Sequence, residues 1–170
     1  MYCFILFASF ESDRARISIA RSPAFFAALI PTVATGTPGG ICTIESKESS
    51  PLSDFVIIGI PITGKVEYLK YINGKYLAAF EDKASELNER SEFGINSKNG
   101  KVFFTQVAGF IARRIVYDIK LGDSVKIGER FGMIKFGSRV DVIVPAEWHE
   151  KVKKDDNVTA GETILFEITK

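Results

Sequence analysis

Histidine is nearly missing from this chain: His149 is the only one in 170 residues. A multi-histidine metal site is therefore excluded, and any chemistry that needs an imidazole must use His149 or borrow one from another chain. Cysteine is as scarce. Cys3 and Cys42 are too few for a disulfide framework or a thiolate metal cluster. Neither sign of charge dominates, and a formal net charge of +1 gives no reason to expect a nucleic-acid partner. Long apolar runs are also lacking. Residues 2–10 are apolar but run into Glu11, Asp13 and Arg14, and residues 24–30 stop at Pro31. Both fall well short of the ~20 residues of a spanning helix. No basic residue precedes the first run, so a secretory leader is not expected.

What is present suits a globular core: 46% of residues are hydrophobic and 25% charged. The chain changes character near residue 60. The part before Gly64 holds both cysteines and five of the six prolines, yet few of the charges. The expected division is an atypical segment over 1–59 followed by a β domain over 60–170. Within the latter, residues 64–72 alternate and run into Asn73-Gly74, which predicts a hairpin. Residues 81–92 are polar and suit a surface loop or short helix. Residues 94–107 predict a second hairpin turning at Asn99-Gly100, and residues 108–117 a buried strand or a short amphipathic segment, with a strand bulged at Gly109 the favoured form.

A degenerate repeat follows. Asp123-Ser-Val-Lys-Ile-Gly-Glu129 and Asp156-Asn-Val-Thr-Ala-Gly-Glu162 share the pattern Asp-x-Val-x-x-Gly-Glu. Each copy reads as a strand, a glycine turn and a returning strand. The fold class expected is mainly β: a small antiparallel barrel or sandwich with pseudo-symmetric hairpins and short helical or loop insertions. Lipoyl and biotinyl carriers have this architecture, with a modified lysine at a hairpin tip. Lys135 is the one candidate for such a lysine and lacks the flanking pattern.

One feature resists a purely structural explanation. Residues 131–142 read as strand, yet Gly137-Ser138 interrupts them and Arg139 and Asp141 follow at once. Glycine inside a strand pattern marks a bulge or a close backbone approach. Taken with Ala84-Ser85 and its preceding Lys83, Asn88-Glu89-Arg90, Gln106-Val-Ala-Gly109, Ala112-Arg-Arg-Ile-Val116, Gly128-Glu-Arg-Phe-Gly-Met-Ile-Lys-Phe-Gly-Ser-Arg-Val-Asp141 and Ala160-Gly-Glu-Thr163, the block resembles the short bacterial and archaeal phosphatidylserine decarboxylase proenzymes over residues ~60–170. The resemblance implies self-cleavage between Gly137 and Ser138. The Ser138 hydroxyl attacks the Gly137 carbonyl, the peptide becomes an ester, and elimination followed by hydrolysis leaves a pyruvoyl group and ammonia. Glycine suits such a bond because it leaves the carbonyl unobstructed and tolerates a strained turn. The products would be a β chain, 1–137, and an α chain, 138–170.

The resemblance further implies that Ser138 is the catalytic residue. As the pyruvoyl precursor it forms the Schiff base with the substrate amine, with no metal and no pyridoxal phosphate. The substrate would be phosphatidylserine, or a related archaeal serine phospholipid, and the product the ethanolamine lipid. The expected setting is peripheral, on the cytoplasmic side of the cell membrane. Partners would be the phospholipid, the membrane surface, the β/α subunit pair and a second copy in a homodimer, since hydrophobic edge strands favour pairing. Arg113 and Arg114 lie on opposite faces of a strand; one could meet a phosphate or carboxylate, and an ion pair with the acidic 81–92 segment serves equally well. Arg139 and Asp141 share a strand face and suit a mutual or cross-strand pair.

The resemblance breaks upstream. The family's base is a histidine oriented by an aspartate, and it comes from a His-x-Asn-Arg block just before the counterpart of Pro61. Here that stretch reads Asp54-Phe-Val-Ile-Ile-Gly-Ile-Pro61, with Val56 near the histidine position. Thr37-Pro-Gly-Gly-Ile-Cys-Thr-Ile44 stands where the aspartate block belongs and has no aspartate. His149 lies on the wrong side of the cleavage bond. A disrupted reading frame over 1–59 is the favoured explanation. The alternative function is an unprocessed, inactive β-barrel binding or scaffold protein.

Overall fold

The computed structural model describes residues 2–3, 7–8, 14–18, 38–46, 55–78, 84–110, 115–135, 139–153, 156–159 and 163–168. These form fifteen strands and one short helix. An eight-stranded antiparallel sheet contains, in spatial order, β10 (Ser124–Val125), β6 (Gly64–Ile72), β7 (Arg90–Ser97), β8 (Gly100–Val107), β12 (Arg139–Pro145), β4 (Pro38–Ser46), β3 (Arg14–Ser18) and β14 (Asn157–Thr159). A four-stranded sheet orders β2 (Phe7–Ala8), β5 (Phe55–Gly59), β11 (Arg130–Lys135) and β9 (Ile115–Tyr117). A three-stranded sheet joins β1 (Tyr2–Cys3), β15 (Phe166–Glu167) and β13 (His149–Glu150). The helix, α1, is Ala84–Leu87. The protein is mainly β and sandwich-like, as the strand patterning predicts, and no closed barrel forms among the described residues.

The sheets are held face to face by aromatic rings. Phe93 of β7 stacks on Phe104 of β8 with centroids 5.0 Å apart, and both meet Phe131 of β11 edge-on at 5.2 and 5.4 Å. Tyr117 of β9 adds a T-shaped contact to Phe93 at 5.1 Å. Two rings therefore come from each sheet, in the geometries that the ring quadrupole favours. Ile95, Val102, Val140, Val142 and Val144 extend the same buried face along the large sheet. Residues of one face recur every second position, so the opposite face of β7, β8 and β12 carries Arg90, Glu92, Thr105, Arg139 and Asp141. These are buried too. Burial on both faces covers charged residues that a strand with one exposed face would turn to solvent.

The hairpin of residues 94–107 is present as β7 and β8, with Ser97 opposite Gly100. Its turn is Lys98-Asn99, one residue earlier than the sequence signal suggests. The Ser97 hydroxyl donates to the Gly100 carbonyl and accepts from the Asn99 amide. Gly100 begins β8 at φ +127, and a Cβ there would lie 2.8 Å from Pro145 Cγ.

Five expectations are corrected. Asn73-Gly74 does not close a hairpin: β6 pairs with β7, and the chain beyond Gly74 forms a parallel bridge from Lys75 to Asn88. Gly74 is needed for close approach, since a Cβ would sit 2.4 Å from the Leu87 carbonyl oxygen. Residues 90–92 of the expected polar loop are strand β7. Ala108 to Phe110 are not strand, and β9 begins only at Ile115. The two Asp-x-Val-x-x-Gly-Glu copies are not self-paired hairpins, because β10 pairs with β6, β11 with β5 and β9, and β14 with β3. What the copies share is a turn. The Asp123 and Asp156 carboxylates accept from the amides of Lys120 and Lys153 respectively, while their own amides donate back to those residues' carbonyls. Lys135 ends β11 opposite Phe55 rather than capping a hairpin tip, which removes the geometry a carrier lysine needs. Strands β3 and β4 lie in the same large sheet as β6–β8 and β12.

Gly100→Ala is expected to destabilise the fold by about 1–3 kcal/mol, because alanine disfavours that φ and its methyl meets Pro145. Denaturant unfolding checks this, and an unchanged midpoint would contradict the hairpin geometry.

Candidate active site

The Gly137-Ser138 bond and residue 136 lie outside the described residues, as do Lys83, Arg113 and Arg114. Both flanks of the bond are described. β11 ends at Lys135 in the four-stranded sheet, and β12 starts at Arg139 in the eight-stranded sheet. Three residues therefore carry the chain from one sheet to the other.

The downstream flank is tightly anchored. Arg139 to Ile143 pair in register with Val107 to Phe103 on one side and with Glu45 to Ile41 on the other. Arg139 Nε donates to Asp141 Oδ1 at 2.7 Å, and both side chains are buried. The same arrangement recurs two strands away, where Arg90 Nε donates to Glu92 Oε1 at 2.9 Å. The register places Val107 between Arg90 and Arg139, and Thr105 between Glu92 and Asp141. Two guanidinium groups thus share one rung of the sheet, and two carboxylates stand on the same face two rungs further in.

Neighbouring groups complete this polar layer. Tyr68 donates to Glu92 Oε2 at 2.9 Å. Burial, with the Glu92 carboxylate as acceptor, pushes the Tyr68 hydroxyl up to about 12, so it remains a donor at neutral pH. A second arginine bond, Arg90 Nη1 to the Glu86 carbonyl at 2.8 Å, ties the layer to α1. Asn88, fully buried, accepts from the Leu77 amide and donates to the Leu77 and Ala108 carbonyls. Tyr76 donates to Glu89. Asn88, Glu89 and Arg90, quoted above without a role, therefore brace the end of the sheet to which the 136–138 segment is attached.

The core-facing side of that end holds Ser91, which sequence reasoning passed over, and Gln106, quoted above in the Gln106-Val-Ala-Gly109 block without a role. Ser91 and Gln106 are in-register neighbours, and Gln106 is also opposite Val140. The Ser91 hydroxyl and both polar atoms of Gln106 are buried, with no hydrogen-bond partner among the described residues. The available signal was a glutamine inside the apolar strand Val102-Phe-Phe-Thr-Gln-Val107.

The two segments that depart from the family pattern flank the same place. Val56 of β5 is opposite Ile134 of β11, and Phe55 is opposite Lys135. On the other side, β4 lines β12, with Glu45 opposite Arg139. His149 is exposed on β13, in a different sheet from both flanks. Among the described residues no cluster of three or more His, Cys, Asp or Glu could hold a metal ion, and no helix is long and apolar enough to cross a membrane.

Arg139→Leu is expected to cost about 3–5 kcal/mol by stranding the buried Asp141 carboxylate, and adding Asp141→Leu to recover most of that loss. Chemical denaturation of the single and double variants checks this. Equal losses in both would contradict a pair whose members depend on each other.

Comparison with known proteins bears on the same region. The phosphatidylserine decarboxylase family model matches residues 52–166. A phosphatidylserine decarboxylase proenzyme of Chlorobium phaeovibrioides is 53% identical over 106 residues, covering 62% of this chain and 48% of the relative. Proenzymes of the same name from Salinibacter ruber and Pelodictyon phaeoclathratiforme are 48% and 46% identical, covering 70% and 75% of this chain and 52% and 59% of theirs. The chain spans about half the length of the curated relatives it matches. No solved structure matches it. With the family pattern extending over more than half of its residues, the chain belongs to the phosphatidylserine decarboxylase family.

Proposed function

We propose that this protein is a proenzyme of a pyruvoyl-dependent phosphatidylserine decarboxylase, cut between Gly137 and Ser138, and that its maturation is slow. The observation that carries the reading is the family match over residues 52–166, which spans this bond, supported by Arg139, locked at the start of β12 immediately after it. An anchored flank reduces the ordering that an intramolecular attack must otherwise supply.

The residues present fit a pyruvoyl group. It would arise from Ser138 itself, and unpartnered polar atoms stand on the adjoining rung of the sheet. Once formed, the group supplies the electron sink for a departing carboxylate. The chain's own contribution is positional. The Arg139–Asp141 and Arg90–Glu92 pairs fix the strand ends, Tyr68 holds Glu92, and Asn88 closes the loop beside Ala108. The serine phospholipid as substrate rests on the names of the relatives, and the cleaved β/α pair on the proenzyme in those names. A membrane surface, a peripheral position on the cytoplasmic face, a homodimer and the division into 1–59 and 60–170 are parts of the same proposal, the last resting on the change of composition near residue 60.

Maturation is slow because the attack lacks its base. The family's histidine corresponds to a place near Val56, which pairs with Ile134, three residues before Gly137. Val56→His places an imidazole on the strand beside that flank without touching the buried Ile58. It is expected to accelerate cutting on the order of 10²-fold, the low end for a general base because no aspartate orients it. Ser138→Ala, in either background, is expected to abolish cutting. Denaturing gels followed over time read both outcomes. Fragments in the alanine variant, or an unchanged rate in a folded Val56→His protein, would overturn this scheme.

A further inference from the structure

Asparagine followed by glycine occurs twice in this chain, at Asn73-Gly74 and at Asn99-Gly100. The pair has a chemistry of its own. The amide nitrogen of the second residue can attack the side-chain carbonyl of the first, and glycine has no side chain to obstruct the approach. Two freedoms are needed: an amide that no hydrogen bond holds, and a backbone that can turn the nitrogen towards the carbonyl. The two places differ in both.

Gly100 faces Ser97 on the closing rung of the β7–β8 hairpin, where its amide belongs to the ladder. The Ser97 hydroxyl also accepts from the Asn99 amide and donates to the Gly100 carbonyl. Attack at Asn99 therefore requires the turn to open. Asn73 and Gly74 lie between the end of β6 and the Lys75–Asn88 bridge, in neither strand nor turn. Both are exposed, and neither makes a hydrogen bond among the described residues. Their neighbours are fixed. Ile72 is opposite Arg90, while Lys75 donates to the Leu87 carbonyl and accepts from the Glu89 amide. Two free residues thus span two anchored ones.

We propose that Asn73 is a site of self-modification, with Asn99 protected by its hairpin. The Gly74 nitrogen bonds to Asn73 Cγ, the Cγ–Nδ2 bond breaks, and Nδ2 leaves as ammonia with the proton from Gly74. Water then opens the cyclic imide. Addition at Cγ gives an ordinary aspartate. Addition at the main-chain carbonyl gives isoaspartate, in which the backbone runs through the former side chain and is longer by one carbon atom. The span from Ile72 to Lys75 is set by anchors that both end on residues 87–90, so the extra atom must displace one of them. The isolated bridge at Lys75 is the weaker, and it belongs to the brace formed by Asn88 and Glu89. Isoaspartate at residue 73 loosens that brace. The reaction is independent of cleavage at Gly137-Ser138.

The test ages the unaltered full chain in mildly alkaline buffer and follows both asparagines by peptide mass, with isoaspartate detected by enzymatic methylation. In the folded chain Asn73 should convert about tenfold faster than Asn99, the worth of one backbone hydrogen bond that must open before attack. In urea the two rates should converge. Asn73→Gln should remove the fast conversion and leave Asn99 unchanged. The isoaspartate form, separated by ion exchange, should melt roughly 2–4 °C below the unaltered protein. Asn73→Asp, which carries the charge without the longer backbone, should melt with the unaltered protein. Conversion of neither asparagine, or of Asn99 as fast as Asn73 in the folded chain, overturns the proposal. So does a rate difference that persists in urea, since local sequence rather than the fold would then set it. An isoaspartate form with an unchanged midpoint overturns the loosening of the brace.

Discussion

Four Cα–Cα steps separate Lys135, at the end of β11, from Arg139, at the start of β12, and these strands belong to different sheets. Such a stretch reaches at most about 14 Å, while packed sheets stand about 10 Å apart. Neither end can yield. β11 is paired on both sides, by β5 and β9, and its Phe131 is wedged against Phe93 and Phe104. β12 is paired on both sides, by β8 and β4. The aromatic packing between the sheets therefore sets the reach of the segment that contains Gly137-Ser138, and the strands around it are arranged to keep that reach fixed.

The polar groups at this end of the large sheet divide by face. On one face the buried charges among the described residues pair: Arg139 with Asp141 and Arg90 with Glu92, with Tyr68 on Glu92. Buried ion pairs are weak sources of net stability, because desolvation offsets their attraction. Their value here is in placing: a bonded guanidinium cannot wander, so the backbone that carries it is held as well. On the core face the opposite holds, and Ser91 and Gln106 stay unmet. Stability is given up there, and groups kept in that condition commonly mark function.

Much of this was legible in the residues, and the failures have physical causes. The β7–β8 hairpin follows from alternation around an Asn-Gly signal, displaced by one position because Ser97 captures the turn. The Asn73-Gly74 signal misled because glycine serves two ends, positive φ and close approach, and here only the second applies. Arg90 to Glu92 look like solvated loop, since two charges around a serine give no hint that both faces of the strand are covered. The Asp-x-Val-x-x-Gly-Glu repeat encodes a capped turn, a local interaction, and strand pairing is decided elsewhere. The mutual pairing of Arg139 and Asp141 could be read from their spacing of two. Gln106 could not be assigned, because one polar residue in an apolar strand is the same letter whether its amide is bonded or not.

The central claim is that the bond between Gly137 and Ser138 is the reactive one. Its most direct measurement is the intact mass of the unaltered, purified chain during prolonged incubation, with a carbonyl-reactive label added. Slow appearance of a 1–137 fragment and of a labelled 138–170 fragment, lighter by one ammonia than the same piece with an N-terminal serine, is the predicted result. Cleavage at any other bond, or a 138–170 fragment that keeps its serine and takes no label, would contradict it.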